Sequence, residues 1–450
     1  MKYDIMRRFF YILLPFALLS GVYLLLAQER SFDVNYDGIN EFDPVFSDGV
    51  VLAVPEASIN EVKDSQIKSV KASADIPYQK QLDPTPETIK AIYVTSWSAG
   101  NKKAIDRLID LIRETELNAM VIDIKDYSGH VTYDIEVPDV LKYKAKEVRI
   151  SKINSLIKKL HDEGIYVIAR LTVFQDPILS SIRPDLAVQN ISTGEPWLDR
   201  KGLGWIDPSA KEAWDYNIAI AKDALLRGFD EINFDYIRFP SDGDLSLMKF
   251  PFYNIETVYK KDAIREFFAY LRGELEGYKI SADLFGLSSI NKDDLGIGQV
   301  IEYAYEFFDY VSPMVYPSHY AKGFLALDEP AKYPYEVIKY SMHTAMVRLI
   351  AYSQDVIMQA LDELQSASGG ESPKVKLPNS KLRPWIQDFD LGGVPYGVEE
   401  VRAQINALYD SAKSFECQGE NQTLCLNPLN GWMLWDPANI YTKEALLSTE

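Results

Sequence analysis

Residues that carry metal and thiol chemistry are scarce in this 450-residue chain. It has four histidines, His130, His161, His319 and His343, and no two of them have the HxxxH spacing of a helical zinc site. The G-x-S-x-G turn that presents a nucleophilic serine in α/β-hydrolases is also missing. These absences argue against a zinc-dependent deacetylase and against a Ser–His–Asp hydrolase.

Basic residues are outnumbered as well. The chain has 47 Lys and Arg against 66 Asp and Glu, which gives a net charge of −19. Binding to nucleic acid through its phosphates requires clustered Lys and Arg, so we predict no nucleic-acid partner. This charge balance suits a neutral partner such as a sugar, or simply a well-solvated surface.

Only two cysteines are present, Cys417 and Cys425, in the stretch CQGENQTLC. CxxC spacing, which is typical of metal sites, is absent. A local disulfide in an oxidising compartment is predicted, with two free thiols as the alternative.

The first 30 residues differ in kind from the rest of the chain. Arg7 and Arg8 precede 19 uncharged, largely apolar residues at 9–27. A helix of that length spans the ~30 Å hydrocarbon core of a bilayer, and basic residues before it favour a cytoplasmic N-terminus. The segment is predicted to be an uncleaved signal anchor, or a signal peptide cut near Ala27. The remainder is then a single-pass protein of the cell membrane facing away from the cytoplasm, or a secreted one.

Residues 31–87 are polar and irregular, and are predicted to be a flexible tether. Within them, DVNYDGINEFD at 33–43 has oxygen ligands at alternate positions followed by a glycine, as calcium loops do. It resembles the D-x-N-x-D-G-I-x-E loops of bacterial extracellular calcium repeats. The twelfth position is Pro44 instead of a bidentate acid, so an acidic linker is the alternative. The candidate calcium ligands are Asp33, Asn35, Asp37 and Glu41.

From residue 88 onward, short runs rich in β-branched and aromatic residues alternate with longer stretches of helical periodicity, such as KKAIDRLIDLIRETEL. Eight strands alternating with helices predict an α/β fold, a (β/α)8 TIM barrel with inserted loops over residues 88–450. A doubly wound sheet is the alternative, but SWSAGNKKA after the first strand is not a glycine-rich phosphate turn. The predicted strands are KAIYVTSW, NAMVIDIKD, IYVIARLTV, DEINFDYIRF, KISADLFG, YVSPMVYP, RPWIQDFD and GWMLWDP.

Nearly every predicted strand ends in polar or aromatic side chains. Catalytic groups of a TIM barrel lie at the C-terminal ends of its strands, and charges on strands buried on both faces are costly unless they have a use. Flat aromatic faces at strand ends can stack on pyranose rings. The residues that we predict to contact a substrate are Trp97, Asp123, Asp126, Arg170, Asn233, Arg238, Tyr316, His319, Gln387, Trp435 and Asp436.

Asp235, at the end of the fourth strand, is the first candidate for catalysis. It shares one side of the strand with Asn233, because side chains alternate with a period of two. If that side faces the barrel interior, Asp235 stands at the rim of a pocket. Its carboxylate could attack an anomeric carbon or stabilise an oxocarbenium-like centre, and Asp283 on the next strand could protonate the leaving oxygen.

Both roles have alternatives. Arg238 is expected to keep Asp235 ionised, but an Asp235–Arg238 pair could equally be purely structural. Asp123 and Asp126 compete with Asp283 for the acid role.

Five motifs occur in this order along the chain: GWIDPSA, FDEINFDYIRFPSDG, VSPMVYPSHY, RPWIQDF and GWMLWDPANIY. Together they resemble a bacterial family of glycoside hydrolase domains that is similar to the (β/α)8 catalytic barrels of the α-amylase clan. The resemblance covers roughly residues 88–445. In that clan the nucleophile is the acid that ends the fourth strand, which corresponds to Asp235. The general acid is a Glu after the fifth strand, where this chain has Asp283.

The resemblance implies a hydrolase that cleaves O-glycosyl bonds of a poly- or oligosaccharide without a catalytic cofactor. A catalytically inactive, carbohydrate-binding barrel that acts as an envelope scaffold is the alternative. A missing acid partner would favour that alternative, whereas the density of strand-end carboxylates favours the hydrolase. The sequence does not indicate an oligomeric state.

Overall fold

The computed structural model describes residues 74–366, 379–415 and 427–449. The predicted membrane segment at 9–27, the predicted calcium loop at 33–43 and the cysteines Cys417 and Cys425 lie outside these residues. Within the described ranges, none of the helices combines the length and the apolar character that spanning a bilayer requires.

Eight parallel strands close into a barrel, which confirms the predicted fold. Each strand pairs with its successor in the chain, and the eighth pairs with the first. The strands are β1 (Ile89–Val94), β2 (Ala119–Lys125), β3 (Tyr166–Thr172), β4 (Glu231–Asp235), β5 (Lys279–Phe285), β6 (Tyr310–Met314), β7 (Trp385–Gln387) and β8 (Gly431–Trp435).

Helices connect the strands, as expected for parallel neighbours. In Lys102–Arg113, for example, Ile105, Leu108, Ile109 and Ile112 form one buried face, and the Asn101 side chain caps the first turn. The helices are α1 (Ser96–Gly100), α2 (Lys102–Arg113), α3 (Pro138–Lys142), α4 (Ile153–Asp162), α5 (Pro177–Ile182), α6 (Lys211–Arg227), α7 (Lys260–Glu274), α8 (Ile301–Phe307), α9 (Pro334–Ser366) and α10 (Val398–Ala412).

Two large apolar clusters build the core of the barrel, and a third, small one consists of Ala331, Val394 and Tyr396. Of the two large clusters, the larger lies between the strands and the surrounding helices, and the smaller fills the barrel interior with side chains such as Val121, Ile168, Trp385 and Met433. A charged pair also lies in the interior, where Arg383 donates to Glu231 at 2.9 Å and both side chains are fully buried. The barrel interior is therefore a packed core, and a substrate can bind only at the ends of the barrel.

The described end of the predicted tether, residues 74–87, contacts the barrel. The Asp75 carboxylate accepts a 2.7 Å hydrogen bond from the Asn154 amide at the start of α4. The Leu82 amide donates to Asp230 at 2.6 Å, and the Leu82 side chain packs against the interior cluster.

Loops inserted after β2, β3 and β4 extend the C-terminal side of the barrel. Val131–Tyr133 pairs with β2 and with Lys146–Ile150, which enlarges the sheet there. The loops after β3 and β4 are tied together by two short antiparallel strands, Gln189–Asn190 and Met248–Lys249. The site described below lies at this end of the barrel.

Candidate active site

Arg170 lies at the centre of a group of three carboxyl side chains. Its position on β3 is in register with Asp123 on β2 and Asn233 on β4. Arg170 Nη1 donates to Asp123 Oδ1 at 2.7 Å, and Nη2 donates to Asp235 Oδ2. The third carboxyl group, Asp283 on β5, lies 3.6 Å from Arg170 Nε, which is too long for a hydrogen bond. One guanidinium therefore lies beside both candidate catalytic residues.

Asp283 is a buried carboxyl group without a hydrogen-bonded cation. Its Oδ1 atom accepts 2.8 Å hydrogen bonds from Asn233 Nδ2 and from Trp385 Nε1 on β7. Its Oδ2 atom has no hydrogen-bond partner among the described residues. Burial, and then the charge of Asp235, raise the pKa of Asp283 from 3.8 to about 8. Burial and the neighbouring charge thus favour the protonated form of Asp283.

Asp235 has a different environment. Arg170 donates to its Oδ2 atom, and the backbone amide of Tyr236 donates to its Oδ1 atom at 2.5 Å. Tyr236 has a φ of 54°, an uncommon conformation for a tyrosine, at the point where β4 ends and the loop begins. Such strain persists only where the surrounding structure holds it. Asp235 is thus hydrogen-bonded to a cation, whereas Asp283 is not.

Asp123 completes the group and connects it to an aromatic wall. The Tyr93 hydroxyl donates to Asp123 Oδ2, and the Tyr93 ring stacks on Trp435 with ring centroids 3.8 Å apart. The Arg170 guanidinium carbon lies 5.0 Å from the centre of the Trp435 ring. Burial, opposed by the charge of Arg170, raises the pKa of Asp123. Asp123 thus links Arg170 to this pair of stacked rings.

The expected pairing of Arg238 with Asp235 is wrong. Among the described residues, Arg238 hydrogen bonds with the Phe239 carbonyl at 3.0 Å and with Ser241 Oγ at 3.1 Å. Arg170 takes the place beside Asp235 instead. The turn at Tyr236 explains the difference, since it carries the chain out of the strand before Arg238.

Tyr316 and His319 follow β6 and lie beside Gln387, the last residue of β7. The Tyr316 ring is 5.3 Å from the His319 ring, and its buried hydroxyl has no hydrogen-bond partner in the described structure. Burial lowers the pKa of His319 to about 4, so its ring is neutral at pH 7. Gln387 Oε1 accepts from the Ser318 hydroxyl at 2.8 Å, which fixes the turn that carries His319.

Three predicted contact residues, Trp97, Asp126 and Asp436, make no hydrogen bond or ion pair with Asp123, Asp235 or Asp283 in the described structure. Asp126 pairs with Arg149, whose guanidinium carbon is 4.7 Å from the ring of Trp97. Trp97 itself is 64% exposed. Asp436 accepts a 2.9 Å hydrogen bond from the Ile440 amide and so closes the loop after β8. The structure thus gives Asp126 and Asp436 structural partners, and leaves Trp97 open at the surface.

Two contacts of the site were not predicted. Tyr93 and Trp385, which donate to Asp123 and Asp283, lie on β1 and β7 and face the barrel interior. The same alternation that pairs Asn233 with Asp235 could have found Trp385, two residues before Gln387 on its strand.

A metal site is not formed by the described residues: none of their His, Cys, Asp and Glu side chains cluster in threes suited to an ion. Within the group of three carboxyl groups, the cation that compensates the charge is the Arg170 guanidinium.

Comparison with known families connects this geometry to a reaction class. A family model described as "Putative glycosyl hydrolase domain" matches residues 91–441. The chain belongs to this family. The predicted resemblance to glycoside hydrolase domains is thereby confirmed.

Solved structures similar to this glycosyl hydrolase domain include the PgaB (BpsB) glycoside hydrolase domain from Bordetella bronchiseptica, at 13% identity and a TM-score of 0.51, with 80% of this chain and 99% of that chain covered. A hypothetical protein from Ruminiclostridium thermocellum is 40% identical, with 46% of this chain and 98% of that chain covered and a TM-score of 0.40. The maltogenic α-amylase AmyB from Thermotoga neapolitana is 11% identical, with 67% and 60% covered and a TM-score of 0.36. No curated protein matches the chain. The Bordetella structure shows a shared fold.

Proposed function

We propose that this barrel hydrolyses glycosidic bonds of a poly- or oligosaccharide, with Asp235 and Asp283 as the catalytic pair. The observation that carries the proposal is the contrast between two carboxyl groups on neighbouring strands. Asp235 is paired with Arg170, whereas burial and the charge of Asp235 raise the pKa of Asp283 to about 8. Glycoside cleavage needs one carboxylate and one carboxylic acid on either side of the scissile bond.

Each residue then has a defined role. Asp283 gives its proton to the leaving oxygen as the bond between that oxygen and the anomeric carbon breaks. The Asp235 carboxylate faces the positive charge that develops on the anomeric carbon, as nucleophile or as electrostatic partner. Water completes the reaction at the anomeric carbon and returns a proton to the carboxyl pair. Arg170 holds Asp235 in place.

Aromatic and polar groups around the pair would bind the sugar. The stacked rings of Tyr93 and Trp435 offer a flat wall beside the Arg170 guanidinium. Tyr316 has a buried hydroxyl without a partner in the described structure, which suits a hydroxyl group of a substrate.

A second candidate function is carbohydrate binding without turnover, in an envelope scaffold. The observation that favours it is the low exposure of the carboxyl groups, 5% for Asp235 and 1% for Asp283. A substrate would have to displace or reach past the groups that cover them.

Release of reducing ends from a panel of polysaccharides tests the hydrolase. We expect turnover by the wild type and none by the Asp235→Asn/Asp283→Asn double variant. The matched control is Asp388→Asn, which removes a buried carboxyl group after β7 whose pKa burial raises to about 7 and which hydrogen bonds with Thr442. This control should keep its activity. Oligosaccharide binding without turnover by the wild type would favour the scaffold.

The site of action is proposed to lie outside the cytoplasm, with residues 9–27 as the membrane anchor. Arg7 and Arg8 before an uninterrupted apolar stretch support this orientation. We expect protease added to spheroplasts to degrade the barrel while the membrane stays intact. Protection from protease, or recovery of the full-length chain in a salt-washed soluble fraction, would contradict it.

A calcium ion is proposed to bind Asp33, Asn35, Asp37 and Glu41 in the tether. Calorimetry on a peptide of residues 30–48 should show calcium binding that Asp37→Ala removes. Absence of heat at millimolar calcium would leave an acidic linker.

A further inference from the structure

Arg238 lies in an aromatic enclosure at the barrel mouth. Its guanidinium carbon is 4.5 Å from the Phe285 ring centre, 4.9 Å from that of Trp205 and 5.3 Å from that of Tyr236. The side chain is 6% exposed. Aromatic faces attract a guanidinium, but they do not neutralise its charge or satisfy its N–H groups.

Arg238 differs from the other buried arginines because no carboxylate is in contact with it. Arg170, Arg227 and Arg383 each have a carboxylate oxygen within 3 Å, whereas no described carboxylate lies within 4 Å of Arg238. Burial lowers the pKa of Arg238, and the charges of Asp235, Asp242 and Asp199, none of which pairs with it directly, raise the pKa only in part. A buried cation is costly unless something compensates it, so this arginine calls for an explanation.

Its donor groups are only partly used. Nη1 donates to the Phe239 carbonyl and to Ser241 Oγ. Nε and Nη2 make no hydrogen bond to a described residue. Arg170 Nε is also without a partner, but it is sealed from solvent, and the two Arg238 atoms are not. One edge of the guanidinium, formed by Nε and Nη2, is therefore not taken by a described residue.

The position of this guanidinium relates it to the carboxyl pair. Phe285 follows Asp283 by two residues on β5, so its side chain lies on the same face one step nearer the mouth. Arg238 packs on that ring, and it follows Asp235 by three residues on the loop after β4. The guanidinium therefore lies above the carboxyl pair, where the neighbouring part of a bound sugar chain would pass.

We propose that Arg238 binds a carboxylate on the substrate, so that the sugar chain recognised at this mouth is an acidic one; this inference rests on the proposed function. A planar guanidinium with two free donors matches a carboxylate in two parallel hydrogen bonds, which a neutral sugar hydroxyl cannot provide. The net charge of −19 has little effect here, because charges beyond roughly 8 Å are screened at physiological ionic strength. The nearer carboxylates of Asp235, Asp242 and Asp199 act on the guanidinium without pairing with it, so a substrate carboxylate would have to make the direct contact that they do not.

The test compares acidic polymers with their own neutral forms. Polygalacturonate, alginate and hyaluronan are used before and after carboxyl reduction, which converts each carboxylate to a primary alcohol and keeps the linkages. Turnover is measured with the wild type, and binding by calorimetry with Asp235→Asn. We expect one or more acidic forms to bind more tightly than the reduced form. Arg238→Met should lower that affinity by about 10- to 100-fold, the range for hydrogen bonds to charged groups, and leave the reduced form within about 3-fold.

Two further variants make the result specific. Arg149→Met removes another arginine that packs on a tryptophan ring, but this arginine is already paired with Asp126 and Glu147. The ratio of affinities for the acidic and the reduced polymer should therefore stay unchanged. Arg238→Lys keeps the charge without the planar fork and should recover part of the preference. Circular dichroism and thermal melting show that each variant is folded.

The outcomes separate this inference from the proposed function. A wild type that binds no acidic form better than its reduced form, or an Arg238→Met variant with an unchanged ratio, overturns the inference, whatever the turnover. If the acidic form binds preferentially through Arg238 but no polymer is cleaved, the inference stands and the proposed hydrolase function is contradicted.

Discussion

Trp385 donates a 2.8 Å hydrogen bond from Nε1 to Asp283 Oδ1, across the barrel interior from β7 to β5. Together with the bond from Asn233, it occupies Oδ1 and leaves Oδ2 as the oxygen that can carry the proton. Trp385 is therefore a positioning residue for the proposed acid, and it acts without contact with the scissile bond.

Replacing Trp385 by Phe tests this relationship. The donor stabilises ionised Asp283, so its loss should raise the pKa of Asp283 further and move the alkaline limb of the activity profile to higher pH. Turnover should fall by about 10-fold, the effect of one hydrogen bond to a charged group. Trp432→Phe is the control, since Trp432 donates to Tyr409 outside the barrel. An alkaline limb that moves equally in both variants would exclude a specific role for Trp385.

The pH dependence of activity should reflect the pKa of about 8 of Asp283. A general acid works only while protonated, so turnover should fall as pH rises through this value. Initial rates between pH 5 and 10, on a substrate with a poor leaving group, measure the limb. An alkaline limb that persists unchanged in Asp283→Asn would assign it to another group.

Stability should depend on the same proton. Unfolded Asp283 titrates near its ordinary value of 3.8, so between about pH 4 and pH 8 the folded protein holds a proton that the unfolded chain has lost. Folding free energy should therefore weaken as pH rises through this window, and less so in Asp283→Asn. Urea unfolding at pH 5 and pH 8 provides the measurement; a dependence of equal size in both proteins would contradict the assignment.

Trp97 should matter for polymers more than for small substrates. It is 64% exposed, and one face lies against Arg149, which pairs with Asp126 and not with the carboxyl pair. Trp97→Ala should lower kcat/KM on a polysaccharide by about 3- to 10-fold, the effect of one aromatic contact, and leave an aryl glycoside unaffected. Tyr78→Ala is the control, an exposed ring against Arg227 near the tether. Equal losses on both substrates would count against a distant sugar contact.

The buried pair of Glu231 and Arg383 should contribute to stability. Removing one partner of a fully buried ion pair leaves an uncompensated charge, at a cost of about 3–5 kcal/mol. Glu231→Gln should lower the free energy of unfolding by this amount, measured with urea. The control is Glu266→Gln, whose pair with Lys211 is largely exposed and should contribute about 0–1 kcal/mol. Similar losses in the two variants would show that burial does not set the cost.

The strands and their order were predictable because each is a short apolar run bounded by helical periodicity. Placement of Asp235 and Asp283 at neighbouring strand ends followed from that order alone. The cation beside Asp235 was not predictable in the same way, since Arg170 is 65 residues away along the chain and only strand pairing brings it close. Proximity in sequence pointed to Arg238 instead.

Asp126 shows a second limit of prediction from the alternation of side chains along a strand. Strict alternation along β2 would place Asp126, three residues after Asp123, on the opposite side of the strand from Asp123. The register shifts between Asp123 and Lys125, and Asp126 turns to Arg149. An irregularity in strand pairing depends on the partner strand, so a period of two read from one segment cannot reveal it.

The most direct test of the proposed pair is turnover by Asp235→Asn and Asp283→Asn on two substrates that differ in leaving group. Asp235→Asn keeps the shape and removes the charge, so turnover should fall by several powers of ten on both an aryl glycoside and a polysaccharide. Asp283→Asn should lose much less on the aryl glycoside, whose leaving group needs little proton donation. Thermal melting controls for folding. Wild-type turnover by Asp235→Asn on any substrate that the parent cleaves would contradict the account.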